Sequence, residues 1–318
     1  MRSKEIRIAV DAMGGDYAPH EIVKGAVEAA QGLDISIVLV GKSEAVQTEL
    51  NRYDLKGARV STYPAEDTIE MDEDPVRAIR QKQDSSIVVG MNLVKEKKVS
   101  AFVSGGSTGA ITAAALLILG RKKGISRPAL GVTFDSPEGS VLLMDVGANS
   151  DCKPHHLEQF AKMGNIYMKK IYDVKEPRIG LLSTGEEKTK GNKLARATYP
   201  VLEKSRLNFI GNVEGQDIPK GGADVVVTDG FTGNVVIKLS EGLAEVLSDL
   251  FKKTPDDEFS ILGKAKGRIL NHTPGALLLG VKGNVVITHG KSDASIIKQT
   301  VHIAERMVEQ KVLEAIGN

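Results

Sequence analysis

The sequence predicts an α/β protein in which a mostly parallel sheet is flanked by helices. Short apolar runs of strand length alternate with stretches of helical periodicity, which is the pattern of repeated β-loop-α units. Glycine-rich polar loops follow the ends of several of these runs. With 318 residues, of which 41% are hydrophobic, the chain can bury a large core. We therefore expect one large unit over residues 1–318, or two lobes.

The first part of the chain alternates strands with helices. The apolar runs predict strands at 6–10, 35–40 and 58–63, and one beginning at Ala101. Helices are predicted over 21–31 and 43–51, from Asp74-Pro75 onward, and over 85–97. Because the strands are joined by helices, they are expected to be parallel.

The rest of the chain continues the alternation after one hairpin. A helix is predicted over 111–119, and Ser136-Pro137-Glu138-Gly139 splits two apolar runs into a hairpin at 129–134 and 141–145. Further strands are predicted at 178–182, 209–210 and 224–227, and near Leu277 and Val285. Further helices are predicted over 154–172, from Asn234 to 251, and over 293–314.

Composition excludes several classes of protein. Forty-two basic and 41 acidic residues leave a net charge of +1, and there is no Trp, so a general nucleic-acid surface is not expected. The one cysteine, Cys152, excludes an intrachain disulfide and a multi-cysteine zinc site. The N-terminal region has no signal-peptide pattern, and no apolar run has the length of a membrane span. We expect a cytoplasmic protein.

Polar residues follow six predicted strands and are candidates for one shared cleft. Ligands of open α/β sheets bind beyond the carboxyl ends of the strands. The loops concerned contain Asp11, Ser104, Asp145, Thr184, Glu214 and Asp229. For each aspartate the alternative is a loop or helix cap. Asp229 is the strongest candidate, because an acid, a close-approach glycine and an amide stand together in Asp229 to Asn234.

The loop Ser104-Gly105-Gly106-Ser107-Thr108-Gly109 predicts an anion cradle. Its glycines let the backbone turn closely around a ligand, and Ser107 or Thr108 can cap the following helix. It matches neither the P-loop nor the dinucleotide-binding turn. A glycine-rich turn that only caps a core helix is the alternative. Among the loop cations Lys188, Lys190 and Lys291, we favour Lys190 for phosphate because it precedes Gly-Asn at a helix start.

Other kinds of site fit the sequence less well. The six histidines are scattered, and His155 and His156 are adjacent on a helix, so no metal is expected, although a Mg²⁺ site of carboxylates stays open. Gly106 to Gly109 lacks the spacing of a serine-hydrolase elbow. Cys152 has no evident partner and is interpreted as a structural thiol.

Residues 251–280 combine apolar and basic side chains in a pattern typical of an amphipathic helix followed by an apolar loop. This insertion is a candidate for membrane contact, through Leu277, Leu278, Leu279, Lys264, Lys266 and Arg268. A packed helical hairpin or a subunit contact is the alternative.

Four loops in order give the chain a family resemblance over essentially its whole length. They are Asp11-Ala-Met-Gly-Gly-Asp16, Ser104-Gly-Gly-Ser-Thr-Gly109, Asp145-Val-Gly-Ala-Asn149 and Thr228-Asp-Gly-Phe-Thr-Gly-Asn234. Together with Pro274 to Gly280 and His289-Gly-Lys-Ser292, they resemble the bacterial phosphate acyltransferase (PlsX) family. That resemblance implies a fold similar to those of phosphate acetyltransferases and of isocitrate/isopropylmalate dehydrogenases.

The resemblance also implies an activity. It is the transfer of a fatty acyl group from acyl carrier protein to inorganic phosphate, giving acyl phosphate for phospholipid synthesis without a cofactor. The implied enzyme is a cytoplasmic homodimer, peripherally associated with the membrane, where a downstream membrane acyltransferase uses its product. A coenzyme A-dependent phosphate acetyl- or butyryltransferase is the alternative. Two further alternatives are a dehydrogenase and a non-enzymatic scaffold that binds the carrier protein.

The expected site combines both lines of reasoning. Catalytic roles are predicted for Asp229, Asn234 and Lys190. Substrate or phosphate binding is predicted for Asp11, Gly14, Gly15, Ser104, Gly105, Gly106, Ser107, Thr108, Asp145, Asn149, Asn192, Thr232 and Gly233. In this hypothesis the amides of Gly105 to Thr108 hold the phosphate while it attacks the thioester.

Overall fold

The computed structural model describes residues 5–252 and 275–317 of the chain. The chain divides into two compact units. Unit 1 comprises Met1–Ile125 and Pro274–Asn318, and unit 2 comprises Ser126–Thr273. Each unit contains a β-sheet with helices packed on it, so the predicted α/β class is confirmed.

The described strands follow the predicted alternation. They are β1 (Ile6–Asp11), β2 (Ile35–Gly41), β3 (Arg59–Pro64), β4 (Ala101–Ser104), β5 (Ala129–Ser136), β6 (Gly139–Met144), β7 (Arg178–Leu182), β8 (Asn208–Val213), β9 (Val225–Val227), β10 (Gly275–Leu279) and β11 (Asn284–Thr288). The described α-helices are α1 (His20–Gly32), α2 (Ser43–Leu50), α3 (Pro75–Gln81), α4 (Ser86–Lys95), α5 (Thr108–Ala114), α6 (Pro154–Ile171), α7 (Lys193–Glu203), α8 (Gly230–Lys252), α9 (Ala294–Glu309) and α10 (Val312–Ala315).

In unit 1 the strand order is β3-β2-β1-β4-β11-β10. All neighbours are parallel except β10, which runs antiparallel to β11. The central strands are apolar on both faces, as Ile8, Val10 and Phe102 show by their complete or nearly complete burial. Because β1, β4 and β11 are parallel, their carboxyl ends meet at one edge of the sheet.

In unit 2 the strand order is β5-β6-β9-β7-β8. β5 and β6 form the predicted antiparallel hairpin, and the other pairings are parallel. α6 packs on β6 and β9 through a buried face that includes Phe160, Met163 and Tyr167. The carboxyl ends of β6, β7 and β9 therefore lie at one edge of this sheet.

Two predicted helices differ from the structure. The stretch 111–119 begins as α5 at Thr108 but continues as a π-helical turn over Ala115–Leu119. The helix predicted over 293–314 is divided into α9 and α10, because Lys311 has a φ of 53°, which an α-helix cannot accommodate.

The predicted membrane segment meets the structure only at its end. Leu277, Leu278 and Leu279 lie in β10 with at most 2% of each side chain exposed. Their burial contradicts the prediction that these three residues contact a membrane, and it agrees with the strand predicted near Leu277. Lys264, Lys266 and Arg268 lie outside the described residues. None of the described helices has the length and apolarity needed to cross a bilayer.

Candidate functional site

In unit 1, the loops after β1, β4 and β11 meet at the carboxyl edge. The Ser104 hydroxyl donates to Asp11 Oδ2 at 2.6 Å, and the Gly106 amide donates to Ser104 Oγ at 3.0 Å. The Asp16 amide donates to the Gly290 carbonyl at 2.7 Å. Three loops that are far apart in the sequence are thereby joined, and Asp11, Ser104 and the glycine loop come together as predicted.

Asp11 is the centre of this arrangement. Its side chain is 1% exposed, and burial raises its pKa, although hydrogen bonds from Ser104, Ser86 and the amides of Met13 and Gly14 oppose that rise. A Cβ on Gly14 would stand 2.5 Å from Asp11 Oδ2, so only glycine permits this approach. Gly15 lies beside it with a φ of 115°. We infer that Asp11 holds the loops together instead of contacting a ligand.

The glycine loop uses one of its own amides, and Ser107 caps the following helix as predicted. Gly105 and Gly106 are buried, Thr108 is exposed, and Ser107 caps α5 by accepting from the Ala110 amide at 3.4 Å. The Gly106 amide already donates to Ser104 Oγ, so the prediction that this loop holds a phosphate depends on the other amides from Gly105 to Thr108 and stays a prediction. The sequence identifies the glycines, but it does not show which of the loop's amides donate hydrogen bonds within the loop.

In unit 2, Asp145 organises the loop that follows β6. Its Oδ1 accepts from the amides of Leu130 (2.9 Å), Gly147 (3.2 Å) and Ala148 (3.0 Å). Its Oδ2 accepts from the Asn149 amide and from Asn149 Nδ2, each at 2.8 Å. The side chain is fully buried, and burial raises its pKa against these hydrogen bonds. Both of its oxygens accept hydrogen bonds from the protein, so Asp145 shapes the loop, and its contact with substrate stays a prediction.

The first turn of α8 interlocks with this loop. The Gly230 amide donates to the Asn149 carbonyl at 2.7 Å, and the Thr228 amide to the Met144 carbonyl at 2.7 Å. A Cβ on Gly233 would lie 1.9 Å from the Asp145 carbonyl oxygen, so the helix can approach only because this residue is glycine. The structure therefore brings together the two motifs that the sequence linked to chemistry.

Asp229 occupies the N-terminus of α8. Its Oδ1 accepts from the Thr232 amide at 2.9 Å, and the Thr232 hydroxyl lies 2.9 Å from Oδ2, so the aspartate caps the helix. Asn234 is exposed, and its side chain is nearest to Gly147 of the Asp145 loop. A carboxylate, a hydroxyl and an exposed amide thus share one turn.

The predicted phosphate lysine lies in the loop between β7 and α7. Lys190 is exposed and has no ion pair with any residue that the structure describes. Lys188 instead pairs with Glu203 and lies 5.3 Å from the Tyr199 ring centroid. Asn192 caps α7: its side-chain oxygen Oδ1 accepts a hydrogen bond from the Ala195 amide at 2.8 Å. Lys190 is therefore the freer of the two loop cations.

Two features of the site were not predicted from the sequence. Ser86, which bonds to Asp11, belongs to the first turn of α4, and no local pattern places it beside β1. Cys152 lies close enough to Asp145 and Asp229 that these charges, after burial itself, help raise its thiol pKa to about 12. In residues 5–252 and 275–317, no three His, Cys, Asp or Glu side chains form a group that could hold a metal ion.

The family model for fatty acid synthesis proteins matches residues 6–315. A phosphate acyltransferase of Desulfitobacterium hafniense is 49% identical over 98% of this chain and 96% of that protein. The phosphate acyltransferase of Halothermothrix orenii is 46% identical over 98% of this chain and 97% of that protein. The chain belongs to this family. It is an acyl-transferring enzyme, and the resemblance drawn from the four loops is confirmed.

Solved structures with the same fold have other activities. A phosphotransacetylase from Streptococcus pyogenes has a TM-score of 0.67 at 19% identity, with 96% of this chain and 94% of that chain covered. A 4-hydroxythreonine-4-phosphate dehydrogenase from Klebsiella pneumoniae has a TM-score of 0.57 at 12% identity, with 96% of this chain and 98% of that chain covered. At these identities the likeness shows the fold alone, and it confirms the expected similarity to phosphate acetyltransferases.

Proposed function

We propose that this enzyme transfers a fatty acyl group from acyl carrier protein to inorganic phosphate, giving acyl phosphate for phospholipid synthesis. The observation that carries the proposal is the match to relatives named phosphate acyltransferase over 98% of the chain. The four loops that resemble the same family support the carrier protein as donor. The interlocked loops of unit 2 supply groups suited to this chemistry.

The reaction needs little proton abstraction. A phosphate oxygen forms a bond to the thioester carbonyl carbon, the carbon–sulfur bond breaks, and the proton of HPO₄²⁻ passes to the leaving thiolate. Asp229 is proposed to relay this proton, with the Thr232 hydroxyl holding its carboxylate in place. The exposed amide of Asn234 would donate to the oxyanion, and Lys190 would help to neutralise phosphate.

The choice of acyl donor is the main alternative. A coenzyme A-dependent phosphate acetyl- or butyryltransferase would use the same phosphate chemistry on the same fold. Comparing acyl-carrier-protein and acyl-coenzyme A thioesters at equal concentration separates the two. We expect turnover of the carrier-protein thioester to be the faster, and preference for acetyl-coenzyme A would contradict the proposed donor.

Assembly and location are part of the proposal. α8 carries an exposed apolar stripe of Phe231, Val235, Leu239, Leu243 and Val246, each more than half exposed. A stripe of this size usually meets another protein surface, which supports a homodimer. We also propose that the enzyme is cytoplasmic and associates peripherally with the membrane, where a membrane acyltransferase consumes its product.

The Asp229→Asn variant tests the proposed proton relay. Asparagine is as good an N-cap as aspartate, so the start of α8 is preserved while the carboxylate is lost. We expect acyl phosphate formation to fall about a hundredfold or more. The assay measures acyl phosphate released from the carrier-protein thioester.

The matched control is Asp293→Asn, which changes the N-cap of α9 in the same way. It should keep nearly full activity, because it lies at the start of a different helix. Near-normal turnover in Asp229→Asn would reject the relay. Failure of the native enzyme to form acyl phosphate would reject the proposed reaction itself.

A further inference from the structure

The N-terminus of α6 carries a group of nitrogen donors that the site described above does not use. Arg127 and Lys153 are exposed, and His156 is only 7% exposed. We call these three residues the α6 donor cluster. All of them belong to unit 2, next to the loop that Asp145 organises.

Two hydrogen bonds place Arg127 at this helix end. The amide of its neighbour Ser126 donates to Gln159 Oε1 at 2.8 Å, and Gln159 stands three residues after His156 on the same face of α6. On its other side, the carbonyl of Pro128 accepts from Asn149 Nδ2 at 2.7 Å. The backbone on both sides of Arg127 is therefore held between α6 and the Asp145 loop, and the charge of Arg127 is close enough to lower the pKa of His156.

His156 is arranged as a neutral donor. Its Nδ1 accepts from the Lys153 amide at 3.1 Å, so the proton of the neutral ring lies on Nε2. Burial lowers the pKa of His156, and the neighbouring charges of His155, Arg127 and Lys153 lower it further. No described residue accepts a hydrogen bond from Nε2. The residue is 7% exposed, and Nε2 is not one of the fully buried atoms that lack a partner, so this N–H reaches the surface and can donate to a ligand there.

The charges of the cluster are likewise unbalanced. Neither Arg127 nor Lys153 forms an ion pair with a residue that the structure describes. The nearby carboxylates of Asp145 and Asp229 already accept hydrogen bonds from their own loops. The dipole of the 18-residue α6 adds positive potential at the same place, whereas its first residue, Pro154, has no amide N–H and the His156 amide donates to the Lys153 carbonyl at 2.8 Å. Two cations, a neutral N–H donor and a helix N-terminus together suit an anion.

We propose that Arg127, Lys153 and His156 bind a phosphoryl oxyanion of the substrates. This inference rests on the proposed function, which offers two sources of that group. One is inorganic phosphate, the acyl acceptor, and the other is the phosphate of the pantetheine arm that presents the acyl chain. The guanidinium of Arg127 matches two phosphoryl oxygens, and His156 donates one further hydrogen bond from Nε2.

Histidine-labelled protein allows the site to be tested by NMR without turnover. The ring signals of His156 are assigned with His156→Asn and titrated with pH in chloride buffer, then with inorganic phosphate, and then with free 4′-phosphopantetheine at equal ionic strength. An anion beside the ring raises the pKa of His156, since it favours the charged form. The probe that produces the larger rise identifies the source of the phosphoryl group.

Variants separate the cluster from general charge effects. Arg127→Gln and Lys153→Gln should each weaken phosphate binding about tenfold, the usual loss for one charged hydrogen bond. The Michaelis constant for phosphate, or for the carrier thioester if the arm is the source, should rise by a similar factor. Lys162→Gln removes one positive charge from an ion pair with Glu158 on the same helix and should leave both values unchanged.

A pKa of His156 that neither probe shifts, together with native phosphate affinity in Arg127→Gln and Lys153→Gln, would overturn the proposal. An equal loss of affinity in Lys162→Gln would also overturn it, because binding would then follow net charge. If the native enzyme forms acyl phosphate while these results are negative, the subsite alone is wrong. If it forms none, the NMR titration still tests the subsite independently.

Discussion

Among the residues that the structure describes, each unit has one aspartate that is at most 1% exposed at a strand end, and the two serve their loops differently. In unit 1, Asp11 accepts from Ser104, which is 93 residues away, and thereby joins separate loops. In unit 2, all but one of the donors to Asp145 come from Gly147 to Asn149 in its own loop; the Leu130 amide is the other. Asp11 is a link between loops, whereas Asp145 is the centre of one.

This difference teaches how to interpret a buried acid at a sheet edge. Both side chains are at most 1% exposed and have raised pKa values from burial. Such a carboxylate is retained because backbone and hydroxyl donors satisfy it, and it then determines where neighbouring groups lie. Asn234 and Lys190 are exposed, and these are the groups that we propose to contact substrate.

The largest expected effect is at the close approach in unit 2. In Gly233→Ala the new Cβ would stand 1.9 Å from the Asp145 carbonyl oxygen, so the two loops must separate. We expect a loss of acyl transfer of about a hundredfold, the usual result of misplacing catalytic groups by an ångström. Gly14→Ala in unit 1 meets the side-chain oxygen of Asp11 at 2.5 Å and should do less damage.

Gly242→Ala provides the control for this prediction. Gly242 lies on the same helix, α8, and its added Cβ would meet nothing within 4 Å. Alanine there should stabilise the protein by about 0.5–1 kcal/mol, because glycine is the poorer helix former. Activity assays and thermal unfolding measure both effects. Equal activity in Gly233→Ala and Gly242→Ala would show that the interlock is not needed.

The next effect compares the two aspartates directly. In Asp145→Asn, the new NH₂ group must face amide donors whichever way the side chain is turned, because both oxygens accept from amides. We expect a loss of about 2–4 kcal/mol in the free energy of unfolding. In Asp11→Asn the NH₂ can face Ser104 Oγ, which can accept, so a loss of about 1 kcal/mol is expected.

Denaturant unfolding of the two variants measures this comparison. The carbonyl oxygen of asparagine at position 11 can still accept from the Met13 amide, which keeps part of the arrangement. If Asp11→Asn were the more destabilised, the linking role would matter more than the number of donors. Asp11 would then be the more important of the two aspartates for the stability of the fold.

The smallest effect concerns the thiol of unit 2. With a pKa raised to about 12 by burial and by the charges of Asp145 and Asp229, Cys152 is almost entirely protonated at neutral pH. Alkylation by iodoacetamide at pH 8 should be about a hundredfold or more slower than for an unperturbed cysteine. Cys152→Ser should keep most of the activity. Rapid alkylation with loss of activity would indicate a reactive thiol that burial does not protect.

Much of the fold could be predicted because the signals are local. Asp74 caps α3 as expected, and the hairpin turns at Ser136 to Gly139. The polar loops at the carboxyl ends of the strands could also be predicted, because each follows directly after an apolar run in the sequence. At Leu277 to Leu279 the sequence predicted both a strand and a membrane contact, because periodicity alone does not distinguish a buried strand from an apolar surface loop, and the structure shows the buried strand.

The sequence by itself determined the order of strands and helices, the family, and which loops hold acids, glycines and amides. These properties depend on residue types and short spacings, which act over a few residues. Only the tertiary structure decided which polar atoms remain available. The hydrogen bond from Ser104 to Asp11 joins residues 93 positions apart and uses the Asp11 carboxylate internally, and Ser104 in turn accepts from the Gly106 amide of its own loop. Within residues 5–252 and 275–317, Arg127 has no ion-pair partner and His156 Nε2 no acceptor. Hydrogen-bond saturation depends on contacts between distant segments, and no local pattern specifies it.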